Sequence, residues 1–292
     1  MYYGYKVKVF IFAGRKRTME VLLPQIKSKY IDEIIIAKNT KNPDDLKYIN
    51  SLATQFEKIK YIELPPNKIG NFTGWSYLYN FMMDEDTVYI KLDDDIVYLS
   101  DDFFENLLAY RFEHPEYICA FPVIVNNSYT SALRKGSLLN KENGNKSLAE
   151  KMTLHFFNGK YAIDEHNRFL ANPNSNEWKL GDVEFGKEIV SRQQPSAYSR
   201  KNGFALLPRP QICAVCFFGK VMKIVNIAKD VEHLNDEEYL TYYVFDKLRK
   251  SKNGMTSKAI CAHYSFSQQK AEVDKTDILS RYKKLMEAKY EQ

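Results

Sequence analysis

Residues 87–99 read TVYIKLDDDIVYL, and the organisation of the chain is set by how this stretch is read. Thr87 to Leu92 is a run of β-branched, aromatic and aliphatic residues, short enough for one buried strand, and three acids stop it. Asp93, Asp94 and Asp95 therefore sit at the carboxyl end of a strand. Adjacent carboxylates repel one another, so placing three of them at the mouth of an apolar strand is costly unless a cation or hydrogen-bond donors take up the charge. Alternation puts Asp93 and Asp95 on one face and Asp94 on the other, so the outer pair is placed to grip one divalent ion. The plainer alternative is that the acids cap a turn or the next helix. Asp101 and Asp102, just before FFENLLAYRF, are read in that way.

Outward from this strand the pattern repeats. KVKVFIFA (6–13) is a first strand, ending at Gly14-Arg15-Lys16-Arg17, a basic glycine turn that either holds a phosphate or is a solvated loop. A helix pattern follows and Pro24 interrupts it. IDEIIIA (31–37) and KIKYIEL (58–64) are further strands, with DDLKYINSLATQF as the helix between them. Strands alternating with helices predict an α/β fold with a mostly parallel sheet, and ligands of such sheets bind outside the carboxyl ends of the strands. Gly70 and Gly74 precede an aromatic helix leading into the acidic strand, with Trp75, Tyr77 and Tyr79 as packing residues.

Beyond it, 103–112 is a helix and YICAFPVIV (117–125) a strand. From Asn126 to about Ala205 the chain turns polar and loses its rhythm. The expectation is an insertion over one side of the sheet, partly mobile, with helical pieces at 147–157 and 182–192 and a place for a second substrate or an oligomer contact. QICAVCFFG is strand-like, and its Cys213 and Cys216 read as buried thiols rather than a metal or redox C-x-x-C. Asp236, Glu237 and Glu238 open a helix that Gly254 ends. A last strand carries His263, and Lys270 to Gln292 is a charged amphipathic helix.

The composition sets bounds on partners. Of 292 residues 45% are hydrophobic and 14% aromatic, ample for a folded enzyme and wrong for a disordered chain. The net charge of +5 is spread among nearly equal numbers of acids and bases, which argues against nucleic acid as the main partner. No apolar run is long enough for a membrane span, and the N-terminus enters a strand pattern at once, so the expectation is a soluble, cytoplasmic protein.

Together, the turn after strand one, IDEIIIAKN, the glycine stretch before a helix, IKLDDDI, CAVCFFGKVMKIV and NDEEYLTYYVFDKLRKSKNG resemble the GT-A glycosyltransferases, closest in pattern to family 2. The resemblance covers most of the chain apart from 126–205. It implies one GT-A domain, with 1–99 as the nucleotide-sugar half, 100–268 as the acceptor half and 269–292 as a C-terminal helix. It also implies a D-x-D motif in which Asp93 and Asp95, joined by His263, bind Mn²⁺ or Mg²⁺ under the diphosphate of a nucleotide sugar, with UDP as the expected nucleotide. Ala13, Gly14, Arg15 and Asn39 become base or ribose contacts, Arg15 or Arg17 phosphate contacts, and Lys91 and Asp94 further donor contacts. The base of an inverting transfer is sought among Asp236, Glu237 and Glu238, where the order of acids departs from the family's, and next at Asp182 in Gly181-Asp182-Val183-Glu184. The acceptor is a glycan or glycoprotein hydroxyl. The Lys-, Asn- and Tyr-rich composition is further similar to transferases of large algal DNA viruses. Two other functions stay open on the sequence: a sugar-1-phosphate nucleotidyltransferase, of whose loop Gly14-Arg15-Lys16-Arg17 is a fragment, and a non-catalytic, calcium-dependent glycan-binding protein.

Overall fold

In a computed structural model, the described residues are 1–70, 77–186, 211–225, 240 and 252–290. They build one sheet. Its strands are β1 (Lys6–Ala13), β2 (Glu33–Lys38), β3 (Ile59–Glu63), β4 (Thr87–Asp93), β5 (Ile96–Leu99), β6 (Tyr117–Val125), β7 (Val183–Gly186), β8 (Ala214–Phe218) and β9 (Lys252–His263). The order is β3-β2-β1-β4-β8-β6-β9-β5, and β7 also pairs with β9. The strands β3, β2, β1 and β4 are parallel. β8 runs antiparallel to β4 and β6, β6 is parallel to β9, and β5 and β7 are antiparallel to β9. The fold is thus mixed α/β, as the alternation of elements predicts.

Side-chain alternation divides the core. Val7, Val9 and Ile11 of β1 face helices α1 (Lys16–Leu22), α2 (Pro43–Ser51) and α3 (Phe103–Glu113), whereas Phe10 and Phe12 face the opposite layer. β4 is buried on both faces, which is why it reads as an unbroken apolar run. Pro24 ends α1 as expected, and the chain passes into a 3-10 turn. Tyr79 packs in the second layer, fully buried.

Residues 126–171 are more ordered than their composition suggests. They form α4 (Ser128–Leu133), α5 (Leu138–Glu142), α6 (Leu148–Phe156) and α7 (Gly159–Ala171), and Tyr129, Leu139, Met152 and Tyr161 complete the second apolar layer. The polar residues there are buried and bonded. Asn127 caps α4, Ser147 and Glu150 form a capping box on α6, and Arg134 pairs with Glu165 under the Trp178 ring. The helix expected at 182–192 is corrected: Val183–Gly186 is strand β7, held to Lys252–Met255 of β9. Gly254 likewise does not end a helix. It lies inside β9, where Tyr110 and Tyr117 leave no room for a Cβ. The C-terminal segment is two helices, α8 (Lys270–Val273) and α9 (Ile278–Tyr290), the second burying Ile278, Tyr282 and Met286 at a spacing of four.

α6 and α7 each bury a neutral histidine. Burial pushes His155 down to about 3 and His166 down to about 4. His166 is enclosed by the Tyr282 hydroxyl at 3.0 Å and the Tyr264 carbonyl at 2.9 Å. The unfolded chain protonates such groups below about pH 6.5, the folded chain only far lower, so their contribution to stability is lost as pH falls through that interval. Denaturant unfolding measured from pH 7 to pH 5 is expected to show this decline, and His166→Gln to lessen its slope by about 1.4 kcal/mol per pH unit, one proton's worth. Parallel slopes would show that His166 takes its proton within the fold.

Candidate active site

Backbone register assembles the site. β4 pairs antiparallel with β8 through Leu92↔Ala214, which places Asp93 opposite Cys213, and the Asp93 N–H donates to the Cys213 carbonyl at 2.8 Å. Asp94 and Asp95 form a two-residue turn, after which the chain pairs with β9 through Ile96↔His263. The Asp95 carbonyl accepts from the Tyr264 N–H at 2.8 Å. The ends of β4, β8 and β9 therefore meet at the three acids.

The alternation expected for these acids does not hold, because the strand ends at Asp93 and its two successors are turn residues. Asp94 and Asp95 share one partner. Arg15 Nε donates to Asp94 Oδ1 at 2.7 Å and Nη1 to Asp95 Oδ2 at 2.5 Å. The Gly14 N–H donates to the other Asp94 oxygen at 2.6 Å. Asp93 instead takes the ammonium of Lys91 at 2.5 Å, and this lysine is only 1% exposed, with its second bond to the Ile212 carbonyl.

Burial works against ionising either turn acid. At Asp95 it is overcome by Arg15 and then His263, which hold the carboxyl well below the ordinary range, whereas at Asp94 burial prevails and the pKa is raised. Burial alone would lower Arg15. The two carboxylates raise it above its ordinary value, and it stays charged. His263, 3% exposed, lies with Nε2 3.3 Å from Asp95 Oδ2 and Nδ1 3.3 Å from the Asn126 carbonyl. Burial pulls the imidazole down, but Asp95 and then Asp93 more than offset it.

The nucleotide-side candidates lie at the ends of β1 and β2. Ala13 is buried, and its carbonyl accepts from the Asn39 N–H at 2.7 Å. A Cβ on Gly14 would come 3.0 Å from the Asn39 carbonyl oxygen, so the close approach of the two strand ends favours glycine. The Asn39 side chain accepts from the Gly70 N–H at 2.7 Å. Arg17 is engaged elsewhere, with Asp274 at 2.6 Å and over the Tyr264 ring. Asp182 is not brought to the cluster: it is exposed, beside the first half of β9, with the rest of that strand between it and His263. Asp236, Glu237 and Glu238 lie outside the described residues, as do Gly74 and Trp75.

Two neighbours of the cluster carry little signal in the sequence. Asn126 has φ of 59°, a left-handed conformation tolerated by asparagine, and its amide holds the His263 and Tyr264 carbonyls and Gln269. Cys213 brings its sulfur to the acids. Asp93, Cys213 and His263 each offer one donor atom, all within 4.8 Å of one another.

These residues fit a divalent cation. Asp95 Oδ1 is buried with no hydrogen-bond partner; its carboxylate and that of Asp93 suit manganese or magnesium, and the imidazole suits the later transition metals. The fold resembles solved structures. GalNAc-T7 with UDP, GalNAc and Mn²⁺ superposes with a TM-score of 0.52 at 12% identity, over 92% of this chain and 45% of that one. The mannosyltransferase PcManGT from Pyrobaculum calidifontis, in complex with GDP-Man and Mn²⁺, gives 0.51 at 8% identity, over 93% and 60%. The fold is GT-A. This GT-A chain spans about half the length of the two structures it resembles. No protein-family model matches it, and no curated protein matches it.

Removing Arg15 leaves two buried carboxylates without their cation. Arg15→Ala is expected to cost about 2 kcal/mol, less than the roughly 3–5 kcal/mol of a fully buried pair because the guanidinium is 41% exposed. Denaturant unfolding at pH 7 measures this. Unchanged stability would mean that water already neutralises the turn.

Proposed function

We propose that the chain is a metal-dependent glycosyltransferase that moves a sugar from a nucleoside diphosphate sugar, a UDP-sugar first, to a hydroxyl of a glycan or glycoprotein. The observation that carries the reading is the meeting of Asp93, Asp95 and His263 where β4 turns into β5 and β9 ends, within a GT-A fold. Asp93, Asp95 and His263 would hold Mn²⁺ or Mg²⁺, which when bound stabilises the charge that grows on a departing diphosphate.

The chain's own groups do the remaining work. Residues 1–99 are taken as the nucleotide half, with Ala13, Gly14 and Asn39 forming a close-packed floor for base and ribose at the strand ends. Arg15 fixes the acidic turn against that floor through Asp94, and so sets the distance between nucleotide and cation ligands. Lys91 orients Asp93 from inside the sheet. The Asn126 carbonyl accepts a hydrogen bond from the Nδ1–H of His263, which leaves Nε2 facing the acids. Residues 100–268 are the acceptor half, and the proton of the acceptor hydroxyl is assigned to an acid among Asp236, Glu237 and Glu238. Asp182 ranks behind them because of its place beside the first half of β9.

Purified chain would be heated with UDP-sugars and with GDP-mannose, with and without Mn²⁺. A donor is expected to raise the apparent Tm by a few degrees, only with metal, and to release nucleoside diphosphate when acceptor is added. Asp93→Asn should lose about 100-fold in turnover. Failure of every nucleotide sugar to stabilise the chain in the presence of Mn²⁺ would refute the assignment.

A further inference from the structure

The cation site contains a donor that a carboxylate-and-imidazole reading does not use. Cys213 sits at the entry to β8, opposite Asp93 by the β4–β8 register, and is 3% exposed. Its sulfur, one carboxylate oxygen of Asp93 and one ring nitrogen of His263 lie mutually within 4.8 Å. Donor atoms this close can converge on one ion, at bonds of about 2.0–2.3 Å to nitrogen and sulfur, by small side-chain shifts. The three donors come from three strand ends fixed by hydrogen bonding, so no hinge is needed to bring them together. Asp95, in contact with His263, adds a buried oxygen without a hydrogen-bond partner.

We propose that the Cys213 sulfur is a ligand of the bound cation and sets the site's preference among divalent metals. The inference rests on the cation-binding reading above and adds to it. Binding forms a metal–sulfur bond as the thiol gives its proton to solvent, with no change in oxidation state. A sulfur donor favours softer ions, so cobalt, zinc and cadmium bind more tightly than magnesium, and manganese lies between them. The remaining cysteines are buried and serve as internal controls. Cys216 points into the sheet, where burial pushes its thiol up to about 12.

The test uses the full chain and the metal alone. Titration with Co²⁺ is expected to give a thiolate-to-cobalt charge-transfer absorption in the near ultraviolet, saturating with one ion per chain. Cys213→Ser should abolish it, and Cys216→Ala should keep it. A rise in Tm with Co²⁺ but no such band, or a band that survives Cys213→Ser, overturns the inference and leaves the transferase reading standing. Absence of any Tm rise or calorimetric heat with Co²⁺ and Mn²⁺ overturns both. Calorimetric competition on the unaltered chain gives an answer that needs no variant: Cd²⁺ is expected to bind at least about tenfold more tightly than Mg²⁺, and equal affinities refute the sulfur ligand.

Discussion

Three consecutive carboxylates at the end of a buried strand are a charge problem, and the way it is solved organises this chain. A single guanidinium reaches across from the end of β1 and touches two of them, while a lysine enclosed within β4 takes the third. The bond from Arg15 to the acids also ties the first strand's turn to the fourth strand's turn. Electrostatic compensation and the spacing between the two turns are therefore one feature. Breaking it removes both a charge partner and a spacer, which is why a partly exposed arginine carries more weight here than a surface ion pair does.

The geometry of the donors follows from register. A strand pairing can slip only in whole residues, and a slip of one would turn each side chain to the opposite face. Leu92↔Ala214 and Ile96↔His263 thus fix which residues converge, to the precision of a hydrogen-bond ladder. β9 is long enough to serve two partners along one edge, β7 near its beginning and β5 at its end. This division keeps Glu184 and Asp182 at one place and His263 at another.

The sequence makes the parallel half of the fold readable because β1, β2 and β4 are buried on both faces and appear as unbroken apolar runs, and because Pro24 and the helix caps leave chemical marks. The acidic turn was legible for the same reason: carboxylates that end an apolar run need a partner. What was hidden depended on pairing across the chain. Cys213 reads as one more buried thiol until β8 is known to lie antiparallel to β4, which brings it level with Asp93. The stretch 126–171 reads as loose because its polarity resembles a loop, yet Asn127, Ser147, Arg134 and Glu165 bond to one another or to helix ends inside the fold. Gly254 has the look of a helix stop, and only two tyrosine rings packed on it explain its presence in a strand.

Asn126 shows how such hidden polar residues reach the chemistry. Its backbone is left-handed just past the end of β6, and the residue faces the end of β9 through both its carbonyl and its amide. The carbonyl accepts a hydrogen bond from the Nδ1–H of His263, so the other ring nitrogen is turned to Asp95. A histidine held in this way is already oriented, as the proposed ligand role would require. Arg15 and His263 both lie against Asp95, and together they hold its carboxyl well below the ordinary range.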